Sequence, residues 1–182
     1  MTKHRKLVPC EISVYSKLLR GIWNCIWMIF YRLSPRIMHG WRRILLRIFG
    51  AKIGKGVAVY PTSKVWAPWN LQMDDYSCLA DDVNCYCVAQ ITIGANTTIS
   101  QGSWLCSASH DYTTPLMQLV VAPISIGANV WITGDVFVGP GLTIGDGAVV
   151  TARSTVLSDV PSWTIAAGFP AQVVKKREYT ID

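Results

Sequence analysis

The sequence predicts an all-β domain, a parallel β-solenoid, preceded by a helical hairpin. Two patterns predict this architecture. Aliphatic residues recur every six positions from residue 53 onward, whereas residues 11–49 place apolar side chains at helical three- and four-residue spacing. The chain has 182 residues, of which 51% are hydrophobic and 15% charged, so it is long enough for one domain with a core and too apolar for a disordered chain.

The N-terminal third is predicted to form two helices, over residues 11–33 and 36–49, with a break at Ser34 and Pro35. Residues 1–56 contain 12 Lys or Arg and one acid, a net charge of +11, whereas residues 57–182 carry a net charge of −5. A basic amphipathic hairpin either packs its apolar stripe on the rest of the protein or lies on an anionic membrane surface, and both interpretations stay open. No nucleic-acid-binding motif accompanies these charges, so no nucleic-acid partner is predicted.

The six-residue repeat covers the remainder of the chain. Fourteen of its fifteen leading positions are Ile, Leu or Val, and Cys85 is the exception. Two-residue slips precede Leu79 and Ile93, and a longer interruption precedes Ile126. The leading positions are Ile53, Val59, Val65, Leu71, Leu79, Cys85, Ile93, Ile99, Leu105, Ile126, Ile132, Val138, Ile144, Val150 and Val156.

A second inward position is predicted four residues after each leading one. There the side chain is usually small or β-branched, and two inward positions per six residues suffice for a narrow core of stacked coils. Glycines 54, 94, 127, 139 and 145 follow leading residues and are expected to let the backbone turn between strands. The second positions are Val57, Ser63, Val83, Ala89, Thr97, Ser103, Ser109, Val130, Val136, Ala148, Ser154 and Val160.

The repeat resembles a known family. Residues 93–98, 126–131 and 144–149 begin with Ile-Gly, and with the ending at residues 166–171 they are similar to the hexapeptide-repeat acyltransferases, within them to the colanic acid (exopolysaccharide) biosynthesis sugar O-acetyltransferases. The resemblance implies a left-handed β-helix, a homotrimer with active sites between subunits, an acetyl-CoA donor and a sugar acceptor. The expected boundaries are 1–52 for the helical segment, 53–177 for the β-helix with a loop at about 107–123, and 178–182 for a tail.

The resemblance makes His110 the candidate catalytic residue; the other histidines, His4 and His39, lie outside the repeat, and a lone histidine is otherwise more often a structural or surface residue. His110 lies in the loop that interrupts the repeat. An imidazole has the pKa best suited to proton transfer near neutral pH, so we expect His110 to act as general base on a sugar hydroxyl during direct acetyl transfer.

The resemblance places Asn84, Asp111, Tyr112 and Trp131 near the acceptor. Asn84 is also explained as a turn residue between strands, and Asp111 and Tyr112 as solvated loop side chains. Trp131 is expected to line the acetyl-CoA tunnel, or to fill a subunit interface, or both.

The resemblance also implies that donor binding involves Trp131, and Gly134 and Ala152, which match family positions where the backbone approaches the pantetheine arm and small residues are favoured. Lys175 and Lys176 are candidates for the CoA phosphates, with a solvated basic tail as the alternative. The sequence departs from the family at Thr133, at Arg153, which is itself a candidate phosphate ligand, and at Leu157-Ser158.

Six cysteines without a CxxC pair, and without histidines at metal spacing, predict neither a zinc site nor a disulfide framework. We expect no metal and a cytoplasmic enzyme, with peripheral contact to the inner face of the membrane as an extension through residues 11–49. The alternative function is a catalytically silent trimeric scaffold or sugar-binding protein. A serine or amino-sugar acetyltransferase would keep the fold and change the acceptor.

Overall fold

The structure is a computed structural model that describes residues 7–178. The first six residues of the predicted helical segment and the predicted tail from residue 179 onward lie outside this range. Within it the chain winds into a parallel β-solenoid of about six turns, which confirms the predicted fold class. Each complete coil adds one short strand to each of three parallel sheets, so the coil has three sides and three corners.

The three sheets contain strands that repeat in chain order. Sheet one comprises β2 (Lys52–Ile53), β5 (Leu71–Met73), β8 (Ile91–Ile93), β13 (Ile124–Ile126) and β16 (Thr143–Ile144). Sheet two comprises β3 (Ala58–Val59), β6 (Cys78–Leu79), β9 (Thr98–Ile99), β14 (Trp131–Ile132), β17 (Val149–Val150), β19 (Thr164–Gly168) and β20 (Ala171–Lys176). Sheet three comprises β4 (Lys64–Val65), β7 (Asn84–Tyr86), β10 (Trp104–Cys106), β15 (Phe137–Val138) and β18 (Thr155–Val156).

The leading aliphatic residues stack into columns inside the coil. In sheet one, Ile53 pairs with Met73, which pairs with Ile93, followed by Ile126 and Ile144. All five are buried. Burial of an aliphatic side chain contributes about 1.5–3 kcal/mol, and the inner members of this column, Met73, Ile93 and Ile126, each have an equivalent residue on both sides. A single coil has no such partner, so the stability of the column depends on stacking.

The predicted register is wrong at one place. Leu71 does not continue the column of Ile53, because its partner is Ile91, and Met73 occupies the equivalent position. The two extra residues are therefore taken up before Met73, where the chain makes a 3₁₀ turn at Pro68–Asn70. Both Leu71 and Met73 are buried, because alternate residues of a three-residue strand point to the same side.

Ten of the twelve predicted second positions are buried. The prediction is wrong for Ala89, which is half-buried, and for Ser109, which is exposed in the interruption. Ser77 and Leu142 are buried at the same four-residue offset from Met73 and Val138, and sequence inspection missed them. The offset therefore marks an inward position wherever the coil is uninterrupted.

The glycines that follow leading residues have a different function from the one predicted. Of the described glycines, 54, 94, 127, 139 and 145 do not have positive φ. A Cβ on Gly94 would stand 2.5 Å from the carbonyl carbon of Gly127 in the next coil. Residues 54, 127 and 145 meet the neighbouring coil at similarly short distances, so these glycines permit close stacking at the corner between sheets one and two.

The helical segment differs from the prediction at its ends. α1 spans Val14–Ile26, with the Ser13 hydroxyl accepting the Ser16 backbone N–H at 3.2 Å as an N-cap, and continues as a π-helical turn at Trp27–Tyr31. α2 spans His39–Ile48. Among residues 7–178, the helices are all too short or too polar to cross a membrane.

These helices close the open end of the solenoid, so the packing interpretation is right for their inward side. Trp23, Tyr31 and Leu46 are fully buried and belong to the same core cluster as the coil interior. Burial raises the pKa of the Tyr31 hydroxyl above its ordinary value. The Tyr31 hydroxyl also makes a 2.9 Å hydrogen bond with the hydroxyl of Ser63.

Side chains of the helical segment also supply the hydrogen-bond donors that a preceding coil would otherwise provide to the first coil. In later coils the ladder carbonyls accept N–H groups from the coil before, but the first coil has no coil before it. Its carbonyls at Ile53, Val57, Val59, Ser63 and Val65 instead accept side-chain N–H groups. The donors, in that order, are Arg47, Arg43, Arg42, Trp27 and Trp23, at 2.7–3.1 Å. Without these donors the carbonyls at the edge would be unpaired, which would cost free energy of folding or allow a strand of another molecule to pair there.

The predicted loop at 107–123 is a β-hairpin. β11 (Ala108–His110) pairs antiparallel with β12 (Leu119–Val121), and β1 (Val8–Pro9) adds a third strand on the other side of β12. The Cys10 N–H donates to the Leu119 carbonyl at 2.9 Å, which extends the pairing. Strand pairing gives this projecting backbone the hydrogen-bond partners that it needs away from the coil.

Candidate active site

His110 is exposed at the end of β11, where the hairpin leaves the corner between sheets three and one. Its Nδ1 lies 2.7 Å from the carbonyl oxygen of Met117, across the hairpin. A carbonyl oxygen can only accept, so Nδ1 must carry the proton. In the neutral imidazole the lone pair then lies on Nε2, for which no hydrogen-bond partner is found among the described residues. This tautomer suits a general base that faces outward.

The Asp111 carboxylate is hydrogen-bonded within the hairpin turn. Its Oδ1 accepts the Thr113 backbone N–H at 3.0 Å and also the Thr113 hydroxyl. These two hydrogen bonds stabilise the carboxylate and hold the pKa of Asp111 below its ordinary value. Asp111 therefore fixes the turn that follows His110, while Tyr112 is 84% exposed beside it.

Asn84 lies on sheet three, the sheet that leads into the hairpin. It is the first residue of β7, a strand position and not a turn between strands. Its neighbours in the same row are Lys64 on β4 and Trp104 on β10. Trp104 is 43% exposed and packs edge-on against Phe137 at 6.0 Å. This row presents an amide, an ammonium group and an indole on the outer face.

Trp131 lies on sheet two, in β14. Its side chain is 49% exposed, and its indole N–H donates to the Ser100 hydroxyl at 3.0 Å. The hydrogen bond fixes the orientation of the ring while its apolar face remains open to solvent. An oriented, exposed indole on a flat sheet is suited to contact with another molecule or another subunit.

Three of the predicted donor-binding residues meet at the corner between sheets two and three. The Arg153 backbone N–H donates to the Gly134 carbonyl at 3.0 Å, so the turns that contain Gly134 and Ala152 are stacked. Arg153 has a positive φ of 59° and an exposed guanidinium 4.0 Å from the Asp135 carboxylate. A surface pair at that distance contributes little to stability, so the guanidinium remains available to an anion.

Lys175 and Lys176 are on β20 at the C-terminal end of sheet two. Lys175 pairs with Ile165, which continues through Val149 to Trp131 in one row across four strands. At about 4.8 Å per strand, Lys175 lies roughly 14 Å from Trp131. Both side chains are exposed, so an indole and an ammonium group occupy the same outer face.

The structure does not bring His110 and Trp131 together within one chain. The hairpin leaves the corner between sheets three and one, and in a three-sided coil that corner is opposite sheet two, which contains Trp131. A site that includes both side chains is therefore not formed within the described part of one chain.

Cys106, beside the hairpin, and Cys78, on sheet two, are poor candidates for a nucleophile. Cys106 is buried, and burial raises the pKa of its thiol although the Ala108 carbonyl accepts a hydrogen bond from it. Burial also raises the pKa of Cys78, to about 11. A thiol that stays protonated is a weak nucleophile. Among residues 7–178, no three His, Cys, Asp or Glu side chains are grouped as metal ligands would be.

No protein-family model matches the chain. The chain is, however, 45% identical over 159 residues to the Escherichia coli (strain K12) protein named "Putative colanic acid biosynthesis acetyltransferase WcaF", covering 87% of both proteins. This chain belongs to the hexapeptide-repeat acetyltransferases.

Solved hexapeptide-repeat acetyltransferases share the fold. The Vibrio cholerae protein VCA0836, complexed with acetyl-CoA, superimposes with a TM-score of 0.80 at 25% identity, covering 92% of this chain and 91% of that one. A maltose O-acetyltransferase from Clostridium difficile 630 superimposes with a TM-score of 0.77 at 26% identity, covering 98% and 99%. The similarity extends over the helical segment as well as the coil.

Two features of this hexapeptide-repeat acetyltransferase escaped sequence analysis. Trp104 stands next to Asn84 on the outer face, and the signal was present, because a residue that precedes inward Leu105 must point outward. The pairing of β1 with β12 had no such signal, since Val8 and Val121 are more than a hundred residues apart and share no motif.

Proposed function

We propose that the protein transfers the acetyl group of acetyl-CoA to a hydroxyl of a sugar in exopolysaccharide biosynthesis, with His110 as general base. The 2.7 Å contact between His110 Nδ1 and the Met117 carbonyl carries the proposal, because it leaves Nε2 as the proton acceptor. The 45% identity to a colanic acid acetyltransferase supports the pathway, and the similarity to a maltose O-acetyltransferase supports a sugar acceptor.

In the proposed step no acyl-enzyme forms. Nε2 of His110 takes the proton of the sugar hydroxyl while its oxygen attacks the thioester carbonyl carbon. When the tetrahedral intermediate collapses, the C–S bond breaks and the imidazolium returns the proton to the CoA thiolate. The raised pKa of Cys106, the cysteine nearest in sequence to the hairpin, supports direct transfer over a thioester on the enzyme.

We propose a homotrimer with the site between subunits. The support is that His110 and Trp131 lie on opposite parts of the coil. In a trimer, Trp131 of a neighbouring chain would lie beside His110. Trp131, Gly134, Ala152 and Arg153 would bind acetyl-CoA along the corner of sheets two and three.

The phosphates of the donor would meet cations at the C-terminal end of sheet two. Lys175 and Lys176 are both exposed on β20, and Lys175 lies in the same row as Trp131, whereas Lys176, as the next residue of the strand, points to the other side. Lysine and arginine form the charge-assisted hydrogen bonds that phosphate groups accept. We also propose a cytoplasmic location, because acetyl-CoA is the donor.

On the acceptor side, we propose that Asn84 and Tyr112 contact sugar hydroxyls and that Trp104 provides an apolar surface for the ring. Asn84 and Trp104 are adjacent in one row of sheet three, and β10, the strand that contains Trp104, leads into the hairpin. Asp111 is bonded to Thr113, so its contribution would be to hold the turn beside His110.

The test is single-turnover release of CoA from acetyl-CoA with a panel of sugars. We expect His110→Ala to lower the rate by about 10²–10⁴-fold, the range of a general base, with acetyl-CoA binding unchanged. His39→Ala is the matched control, because His39 belongs to the helical cap, where its Nδ1 lies 2.8 Å from the Val59 carbonyl oxygen. Under conditions in which the His39→Ala protein is folded, its rate of CoA release should equal that of the wild type.

Other outcomes point elsewhere. Failure of the wild type to bind acetyl-CoA would favour the silent scaffold or sugar-binding protein. Binding without transfer to any sugar tested, but with transfer to serine or an amino sugar, would change the acceptor and keep the mechanism. Equal rates for wild type and His110→Ala would remove His110 from the chemistry.

A further inference from the structure

The helical segment has a second apolar side that faces away from the solenoid. On α1 and the π-helical turn that continues it, the exposed residues Leu18, Ile22 and Ile29 recur at four- and seven-residue spacing, on a different side from buried Trp23. Such spacing places side chains on one stripe of a helix. A helix with apolar residues on both sides is ordinarily covered on both, yet here only the inner side is covered.

α2 repeats this arrangement. Trp41, Ile44 and Ile48 are exposed at three- and four-residue spacing, whereas Leu45 and Leu46 are buried. Of the 26 exposed large hydrophobic residues in the described part of the chain, 13 lie between positions 14 and 48. This concentration distinguishes the patch from the scattered apolar residues normal on a protein surface.

The two stripes meet at one groove, where Ile22 of the first and Ile48 of the second both line the wall. The groove of about 640 Å³ lies between them, bordered by Leu19 and Ile22 from α1 and by Ile48 and Phe49 at the end of α2, with Trp69 below. We call this surface the outer cap face and define it by Leu18, Ile22, Ile29, Trp41, Ile44 and Ile48.

The charge around the outer cap face is positive. Within the described part of the N-terminal third, residues 7–56 contain nine Lys or Arg against the single acid Glu11. Arg42, Arg43 and Arg47 are already bonded to carbonyls of the first coil. Lys17 and Arg32 remain exposed next to the stripe of α1, in positions where long side chains can reach an anionic surface.

We propose that the outer cap face docks the protein on an anionic lipid surface, with the helices lying in the plane of the interface. An aliphatic and aromatic stripe flanked by cations is the composition of interfacial helices. A second copy of the same face is a poor occupant, because it would bring two strongly basic segments together. This inference does not depend on the proposed acetyl transfer.

The test is co-sedimentation of the full chain with phosphatidylcholine vesicles, with and without phosphatidylglycerol. We expect binding to the anionic vesicles at low salt, weaker binding at high salt and little binding to neutral vesicles. Ile22→Asn combined with Ile48→Asn should weaken binding by about tenfold or more, because two aliphatic side chains no longer leave water. The matched control is Val173→Asn with Val174→Asn on β20, also exposed but at the opposite end of the solenoid, which should bind as the wild type does.

Lys17→Glu with Arg32→Glu provides a second variant that leaves the apolar face intact, and it should weaken binding to anionic vesicles alone. Sedimentation velocity measures the oligomeric state of all variants and so tests the alternative that a second copy of the chain covers the outer cap face. Absence of wild-type binding, or equal loss in the control pair, would overturn the proposal. The proposal would also fail if the wild type did not bind vesicles and the Ile22/Ile48 variant had a different oligomeric state. The outer cap face would then be a contact between protein chains.

Discussion

The Nε atom of Arg42 donates to the carbonyl oxygen of Val59 at 2.7 Å. In the next coil the equivalent carbonyl, that of Leu79, accepts a backbone N–H instead. The guanidinium therefore occupies the position of a strand that the chain does not have. It also donates to the carbonyls of Pro35 and Arg36, at 2.9 and 2.6 Å, and so joins the turn between the helices to the coil.

Arg42→Met should strongly destabilise the fold. The side chain is fully buried, and its replacement removes the hydrogen bonds from the guanidinium to the Val59, Pro35 and Arg36 carbonyls, while methionine keeps most of the volume. The Val59 carbonyl keeps its 2.8 Å contact with His39 Nδ1, and the Pro35 carbonyl keeps the Met38 N–H. We expect a loss of about 3 kcal/mol in the free energy of unfolding, because a hydrogen bond to a charged group contributes about 1.5–3 kcal/mol. The unfolding midpoint, measured by circular dichroism, should fall by roughly 6–12 °C for a chain of this size.

Arg32→Met is the matched control for Arg42→Met, since it removes the same charge from an exposed position. The Arg32 guanidinium lies 5.4 Å from the Trp27 ring, a contact that contributes about 0.5–1 kcal/mol at an exposed site. Equal destabilisation by the two variants would show that charge, and not the capping of Val59, explains the effect.

Gly94→Ala should destabilise the protein, and Gly21→Ala should stabilise it. A Cβ at residue 94 would collide with the backbone of Gly127 and Ala128, which cannot move without separating two coils. We expect a cost of about 1–3 kcal/mol, as for overpacking in a core. At residue 21 nothing lies within 4 Å, so alanine should add about 0.5–1 kcal/mol to helix stability. Urea unfolding measures the change in the free energy of unfolding for each variant. A Gly94→Ala protein as stable as the wild type would contradict the close-stacking explanation.

Asp111 should stay ionised throughout the range in which the enzyme is assayed. Its folded-state pKa is lowered by the hydrogen bonds from Thr113, so their contribution is complete above the ordinary pKa and is lost as the pH falls through the lowered one. An acid limb of kcat/KM between about pH 5 and 9 must then belong to another group. Asp111→Asn should leave the position of that limb unchanged, and a shifted limb would place Asp111 in the proton transfer.

Deletion of residues 1–10 should lower kcat without changing the affinity for acetyl-CoA. The deletion removes β1, which pairs with β12, and β12 in turn pairs Leu119 with His110. A displacement of about 1 Å in a catalytic group can lower the rate by up to roughly 10²-fold. Deletion of residues 1–6 keeps β1 and serves as the control. If both deletions keep the wild-type rate, the N-terminal strand does not position His110.

Much of the coil could be predicted because its signal is local. Ile53, Ile126 and Ile144 stand six residues before the next leading aliphatic, and that spacing predicts short stacked strands, whereas the number of sides per coil does not follow from it. The register failed at Leu71, where a three-residue strand offers two inward positions and the sequence does not say which one continues the column.

The site was predictable to the extent that a residue type suggests its chemistry. His110 is the one histidine in the repeat, and its position at an interruption was visible. The proton on its Nδ1 was not, because the Met117 carbonyl reaches it only when β11 and β12 pair.

By itself, the sequence determined a parallel solenoid with a basic helical segment before it, because side-chain spacing along one short stretch decides which residues point inward. Only the tertiary structure decided that Arg42, Arg43 and Arg47 complete the first coil, that β1 joins the hairpin, and that His110 and Trp131 lie on opposite parts of the coil. These relationships join segments that are distant in the chain or depend on the closed three-sided coil. Hydrogen bonding between such segments is set by where the folded backbone leaves unpaired groups, which no local pattern records.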